Sequence, residues 1–131
     1  MIQEDLPETA HIVGGPPDCL MRVRWLRYKG AFPARRFLED YPDDFAQFLQ
    51  RCNEMARFGR IRLENNGHQM TNEPFRVLHQ FNLKVTRSWG YKHGNVYLVL
   101  HAAKKRTTGQ EPDYRTALKR TQDYLDGLTD A

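Results

Sequence analysis

Polar and apolar residues alternate in Met21-Arg-Val-Arg-Trp-Leu-Arg-Tyr28, with Val23 and Trp25 set against Arg22 and Arg24. A period of two is what a half-buried strand requires. The period then changes. Phe37, Leu38, Tyr41, Phe45, Phe48, Leu49, Cys52, Met55 and Ala56 recur at three- and four-residue spacing, which predicts helix over 32–58. Pro42, followed by Asp43 and Asp44, breaks this stretch and restarts it, because proline suits the first helical position and carboxylates suit the N-terminal dipole. Gly59 is placed to cap the end. Two helices in a hairpin or bent pair result, and their aromatic stripe reads as core.

Asn65-Asn-Gly67 marks a turn, and three strand-like runs come after it at 75–81, 83–89 and 95–103. Gly90 and Lys92-His-Gly94 make the last connection a hairpin. Val96-Tyr-Leu-Val-Leu100 is apolar almost throughout, as in a central strand covered on both faces. Gly109 and Pro112 open a final helix over 113–128, with Tyr114, Ala117, Leu118, Thr121 and Leu125 on its apolar side. The order β-α-α-β-β-β-α predicts an α+β fold, an antiparallel-rich sheet packed against helices.

The chain has 131 residues, enough for one domain with a real core. Residues 1–20 are acidic and interrupted by Gly14, Gly15, Pro16 and Pro17, and read as a flexible extension to a domain over 21–131, with Met21 as an alternative start. Cys19 and Cys52 are too few for a disulfide framework. No basic-then-apolar leader and no run of membrane-spanning length is seen, so the expected compartment is the cytoplasm.

Charge sharpens the picture. All 20 Lys and Arg lie in residues 21–131, against 12 of the 16 acidic residues, which leaves that part at +8. Arg outnumbers Lys, which suits bidentate phosphate contacts. No acidic residue occurs between Glu73 and Glu111. That stretch holds Arg76, Lys84, Arg87, Lys92, Lys104, Lys105 and Arg106, with His79, His93 and His101, and Tyr114 lies just beyond. A single-sign run on consecutive strands is a footprint for a polyanion.

Several chemistries lack their residues. There is no glycine-rich phosphate loop, no Cys-x-x-Cys and no His-Glu-x-x-His, and the five His have no ligand-like spacing, so no metal or cofactor is expected. Ser88, the sole serine, has no Asp in the strip to complete a triad. Cations, imidazoles and a tyrosine remain. RNA cleavage needs little else: a base to take the 2′-hydroxyl proton, cations for the charge on phosphorus, and an acid for the leaving 5′-oxygen. Neighbouring cations lower a Lys pKa, so Lys suits either proton transfer. Arg76 and Arg87 are candidate phosphate contacts. Trp25 and Trp89 read as core, and His11, His68 and His93 as loop residues.

Three segments carry a resemblance: Phe37-Leu-Glu-Asp-Tyr-Pro-Asp-Asp-Phe-Ala-Gln-Phe-Leu49 with Met55-Ala-Arg-Phe-Gly59, Val96-Tyr-Leu-Val-Leu-His-Ala-Ala-Lys-Lys105, and Tyr114-Arg-Thr-Ala-Leu-Lys-Arg120. In order and spacing they resemble RelE/HigB-type toxins of type II toxin–antitoxin systems, especially the phage-derived RelE-like branch, over residues 21–128. The resemblance implies a RelE-like fold with an N-terminal helical hairpin, a paired basic motif ending the last strand, and a C-terminal helix. It also implies a ribosome-dependent mRNA endoribonuclease, silenced by a cognate antitoxin that is expected to be a helix-turn-helix protein.

Carried over by position, Lys84 would stabilise phosphate charge, with His79 or Lys84 as the base, Lys105 would be the general acid, and Tyr114 would orient the nucleotide. Arg76 would lie near the RNA; Arg87, Lys104 and Arg106, read from the basic strip itself, are further candidate RNA contacts. Two departures stand out. The strand position of a proposed family base is Leu78, with His79 beside it as the substitute, although strand neighbours face opposite ways. Extra residues, Gly109 among them, separate Lys105 from Tyr114. Two other functions therefore stay open, a ParE-type gyrase-binding toxin and a non-catalytic nucleic-acid-binding regulator.

Overall fold

The computed structural model describes residues 9–15 and 17–130, with side chains to residue 127. It is an α+β fold in which a six-stranded mixed sheet carries helices on both faces. The strands are β1 (Thr9–Gly14), β2 (Arg22–Leu26), β3 (Gly67–Gln69), β4 (Leu78–Asn82), β5 (Thr86–His93) and β6 (Val96–Lys104). The helices are α1 (Pro33–Leu38), α2 (Pro42–Phe58) and α3 (Glu111–Asp130). Across the sheet the order is β1-β2-β6-β5-β4-β3, antiparallel except for the parallel pair β2–β6.

The helical signals act where they stand. Pro33 and Pro42 open α1 and α2, Asp43 and Asp44 occupy the first turn of α2, and Gly59 ends it at φ 73° with its N–H on Met55 O. The apolar stripe of α2 faces the sheet, where Phe48 stacks on Trp25 at 5.2 Å and Phe81 stacks on Tyr97 at 5.2 Å. This core holds Val23, Trp25, Leu38, Phe48, Met55, Phe81, Tyr97 and Val99. On the other face α3 covers a second core of Leu26, Leu78, Trp89, Leu98, Leu100, Ala117 and Tyr124. Trp25 and Trp89 are both buried, in keeping with their core assignment.

Several expectations need correction. The extension assigned to residues 1–20 contains β1, an edge strand antiparallel to β2 whose Ala10, Ile12 and Val13 pack on the first core. Residues 1–8 lie outside the described residues. Arg24, assigned to a polar face, is buried, and its Nε donates to Thr9 Oγ1 at 2.7 Å. The run at 75–81 divides into a 3₁₀ turn, Phe75–Val77, and β4. The run at 83–89 shifts three residues, because 83–85 form the turn into β5 while Gly90 continues the strand. His93 pairs with Val96, so the hairpin turn is only Gly94 and Asn95.

One irregularity in the β5–β6 pairing sets the direction of His101. Gly90 pairs with Val99 but Trp89 with His101, so the register skips Leu100. Such a bulge turns the side chain after it. His101 therefore shares the α3 face with Trp89, and their rings stack at 5.5 Å.

Candidate nucleic-acid interface

The acid-free strip is not acid-free once folded. Asp44, on the first turn of α2, accepts hydrogen bonds at Oδ2 from Val85 N–H at 3.0 Å, Thr86 N–H at 2.8 Å and Thr86 Oγ1 at 2.6 Å. Asp113, on the first turn of α3, takes His101 Nε2 at 2.9 Å and Arg106 Nε at 2.8 Å. Exposed Arg76 lies 3.5 Å from Glu73. Carboxylates thus engage Arg76, His101 and Arg106, and the remaining cations occupy a smaller area.

That area lies on the α3 face at the β4–β5 end of the sheet. Register places Asn82 opposite Arg87 and Arg87 opposite Ala103, near the pair Gln80 and Trp89. Arg87 Nη1 donates to Gln110 Oε1 at 2.7 Å, which fixes the guanidinium, while its buried Nε has no hydrogen-bond partner among the described residues. Lys105, whose backbone N–H donates to Val85 O at 3.0 Å, is exposed just past the end of β6. Arg87, Lys105, Asn82, His68, Asn65 and Glu64 line an open cleft of about 430 Å³. Asn82 is oriented by Gln80 Nε2 at 2.7 Å and by its own Nδ2 donating to Asn65 O at 3.0 Å.

Gln110 joins this cleft to α3. Its Nε2 donates to Lys104 O at 3.1 Å and to Asp113 Oδ2 at 2.8 Å, and its Oε1 accepts from Arg87. Burial alone would raise the Asp113 pKa, yet hydrogen bonds from Arg106, His101 and Gln110 outweigh it and bring the carboxyl down to about 2. His101 is lowered, chiefly by burial, against the upward pull of Asp113. Its Nδ1 lies 3.2 Å from Arg120 Nη1, and because Arg only donates, Nδ1 accepts and Nε2 carries the proton. Both nitrogens of His101 are committed.

The remaining candidates disperse. Lys104 is exposed at the end of β6, and Arg106 is held by Asp113. Tyr114 is half-buried, packed on Phe75 at 5.4 Å and Trp89 at 5.9 Å, so its ring serves the α3 core. Lys84 is placed not on a middle strand but in the β4–β5 turn, its N–H on Gln47 Oε1 at 2.9 Å. Its side chain borders a different cleft with Asp40, Asp43 and Asp44.

His79 lies on the opposite face of the sheet from Arg87 and Trp89, edge-on to Tyr97 at 6.1 Å, and does not join Lys105. Burial first, then Lys92 and His68, lower its pKa to about 4. The imidazole that does line the Lys105 cleft is His68, assigned to a loop but sitting on β3. Sequence reasoning also misses Asn82, Gln110 and Asp113. The Asn65-Asn-Gly67 turn signals a strand after it, and Pro112-Asp113 signals a helix start, but neither reveals the partners of these side chains.

Among the described residues, no cluster of three or more His, Cys, Asp or Glu is arranged to hold a metal, and no helix is long and apolar enough to cross a membrane. No protein-family model and no curated protein matches the chain.

Proposed function

We propose that this protein is an RNA-cleaving toxin of the RelE/HigB type, acting in the cytoplasm on messenger RNA at the ribosome and restrained by an antitoxin. The observation that carries this reading is the cleft where Arg87, Lys105, Asn82 and His68 converge from β5, the end of β6, β4 and β3. Arg87, its guanidinium anchored by Gln110, binds a phosphate oxygen, and Lys105 supplies the second positive charge. In the reaction, His68 takes the proton of the 2′-hydroxyl as that oxygen bonds to phosphorus. The bond from phosphorus to the 5′-oxygen breaks, and Lys105 gives the leaving oxygen its proton. His68 replaces His79 in this role because His79 opens onto the other face of the sheet.

Expression in a bacterial host tests the reading. The full chain should arrest growth and cut messenger RNA. Arg87→Ala, Lys105→Ala and His68→Gln should each relieve both effects, while Lys84→Ala should not. Intact messenger RNA during arrest, with gyrase-linked DNA breaks, would instead select the ParE-type alternative.

One observation favours a second reading, a regulator that binds nucleic acid without cutting it. His101 and Arg106 are both tied to Asp113, which leaves few free groups for proton transfer. That reading predicts salt-sensitive RNA binding and no cleavage even with translating ribosomes.

A further inference from the structure

A second cleft, of about 210 Å³, lies on the α2 face between the β3–β4 edge and the C-terminal end of α2. Arg60, Lys92, His68 and His79 line it over Phe81, and none of its lining residues is Asp or Glu. His68 and His79 each also keep a buried Nδ1 with no hydrogen-bond partner among the described residues. Buried polar atoms are usually paired, so two unpaired imidazole nitrogens beside one cleft are an exception that a ligand with acceptor oxygens would resolve by turning the rings toward it. Lys92 Nζ reaches in and donates to Gly59 O at 2.5 Å, balancing the negative end of α2.

We propose that this cleft is a second phosphate site, which takes a backbone phosphate of the same RNA whose neighbouring phosphate lies against Arg87 and Lys105. The proposal rests on the RNA reading for the owner of the phosphate, but not for the anion preference. Two cations, two imidazoles able to donate from Nδ1 and no carboxylate make the cleft attractive to an oxyanion and repellent to a metal ion. The oxygens of a phosphate can accept from Arg60 and, once the rings turn, from the imidazoles. His68 lines both clefts, so they meet at the β3 edge and a single strand can pass from one to the other.

Imidazole ¹H–¹⁵N spectra of the full chain test this, titrated with inorganic phosphate, with an uncharged nucleoside and with a short single-stranded RNA. Phosphate should move the His79 resonances to saturation, RNA should do so at concentrations at least tenfold lower, and the nucleoside should not. Arg60→Gln, an exposed change, should weaken the response at least fivefold, whereas Lys105→Ala should leave the inorganic phosphate response intact. His79 unmoved by phosphate, moved by nucleoside alone, or moved by phosphate but not by RNA would each overturn the proposal. RNA that moves His79 yet is never cut defeats the nuclease reading and keeps this site. RNA that is cut while His79 stays still does the reverse.

Discussion

His101 Nε2 lies 2.9 Å from Asp113 Oδ1, and this contact helps tie the last strand to the last helix beside the candidate RNA cleft. Asp113 also holds Arg106 and Gln110, and Gln110 holds Arg87. The orientation of the Arg87 guanidinium, the proposed phosphate contact, is therefore set by Asp113 through Gln110. The dyad has the look of catalytic machinery, but Arg120 on Nδ1 leaves no nitrogen of His101 for a substrate.

Asp113→Asn should consequently act on stability. It removes the charge that Arg106 and His101 share, at a nearly buried position, although Arg106 is half exposed and water compensates in part. The expected loss is about 2 kcal/mol, or a Tm lower by roughly 5–10 °C in thermal unfolding. Unchanged melting would remove Asp113 from its structural role.

Gly90 and Tyr97 are matched by contact rather than by turn geometry. A Cβ on Gly90 would lie 2.3 Å from the Tyr97 ring and hydroxyl. Gly90→Ala should destabilise by about 3 kcal/mol or more, from overpacking against a ring that cannot retreat, and Tyr97→Leu should recover part of that loss. Tyr97 Oη is itself buried with no partner among the described residues, so Tyr97→Phe should be neutral or stabilising by about 1 kcal/mol. Urea midpoints of the unaltered protein and these variants check all three statements.

His79 predicts an acid-sensitive limb. Its pKa is about 4 in the fold against 6.5 unfolded, so between those values the unfolded chain binds more protons. Stability should fall as pH drops from 6.5 toward 4 and level off below. The groups that share its cleft are Lys92, His68 and Arg60, and of these Lys92 and His68 oppose its protonation. The full effect is on the order of 3 kcal/mol. His79→Gln should flatten the difference between urea midpoints at pH 7 and pH 4.5, and an unaltered slope would assign the acid limb elsewhere.

Local signals carry the helices. Pro42 with Asp43 and Asp44, and Gly59, act within one turn of where they stand, so the α1–α2 break and the end of α2 are legible in the chain. Val96-Tyr-Leu-Val-Leu100 is legible too, because a strand flanked by β2 and β5 and covered on both faces needs apolar residues throughout. The cleft is half legible. Arg87 and Lys105 are candidates from charge alone, but charge does not separate them from Lys84 and His79. Asp44, 42 positions from Thr86, fixes the turn that carries Lys84. The side of the sheet that His79 faces depends on register, which the order of residues does not reveal. β1 is hidden for a similar reason, since Gly14, Gly15 and the nearby acids look like a tail until β2 is beside it.

Lys84 and Lys105 separate the two ways of reading the cationic run. Their backbones are close, with Lys105 N–H on Val85 O at 3.0 Å, but their side chains border different clefts. In fluorescence-anisotropy titrations with single-stranded RNA, Lys105→Ala should weaken binding about tenfold and reduce the salt slope by about one, while Lys84→Ala should stay within about threefold. Equal losses from the two variants would restore Lys84 to the site.

The central claim is tested most directly by the ends of cut RNA. Purified protein, messenger RNA and translating ribosomes should give 5′ fragments ending in a 2′,3′-cyclic phosphate and 3′ fragments beginning with a 5′-hydroxyl. Those are the products of 2′-hydroxyl attack with protonation of the 5′-oxygen, and Lys105→Ala should abolish them. Messenger RNA left whole by the unaltered protein, or cut to 5′-phosphate ends, would contradict the account.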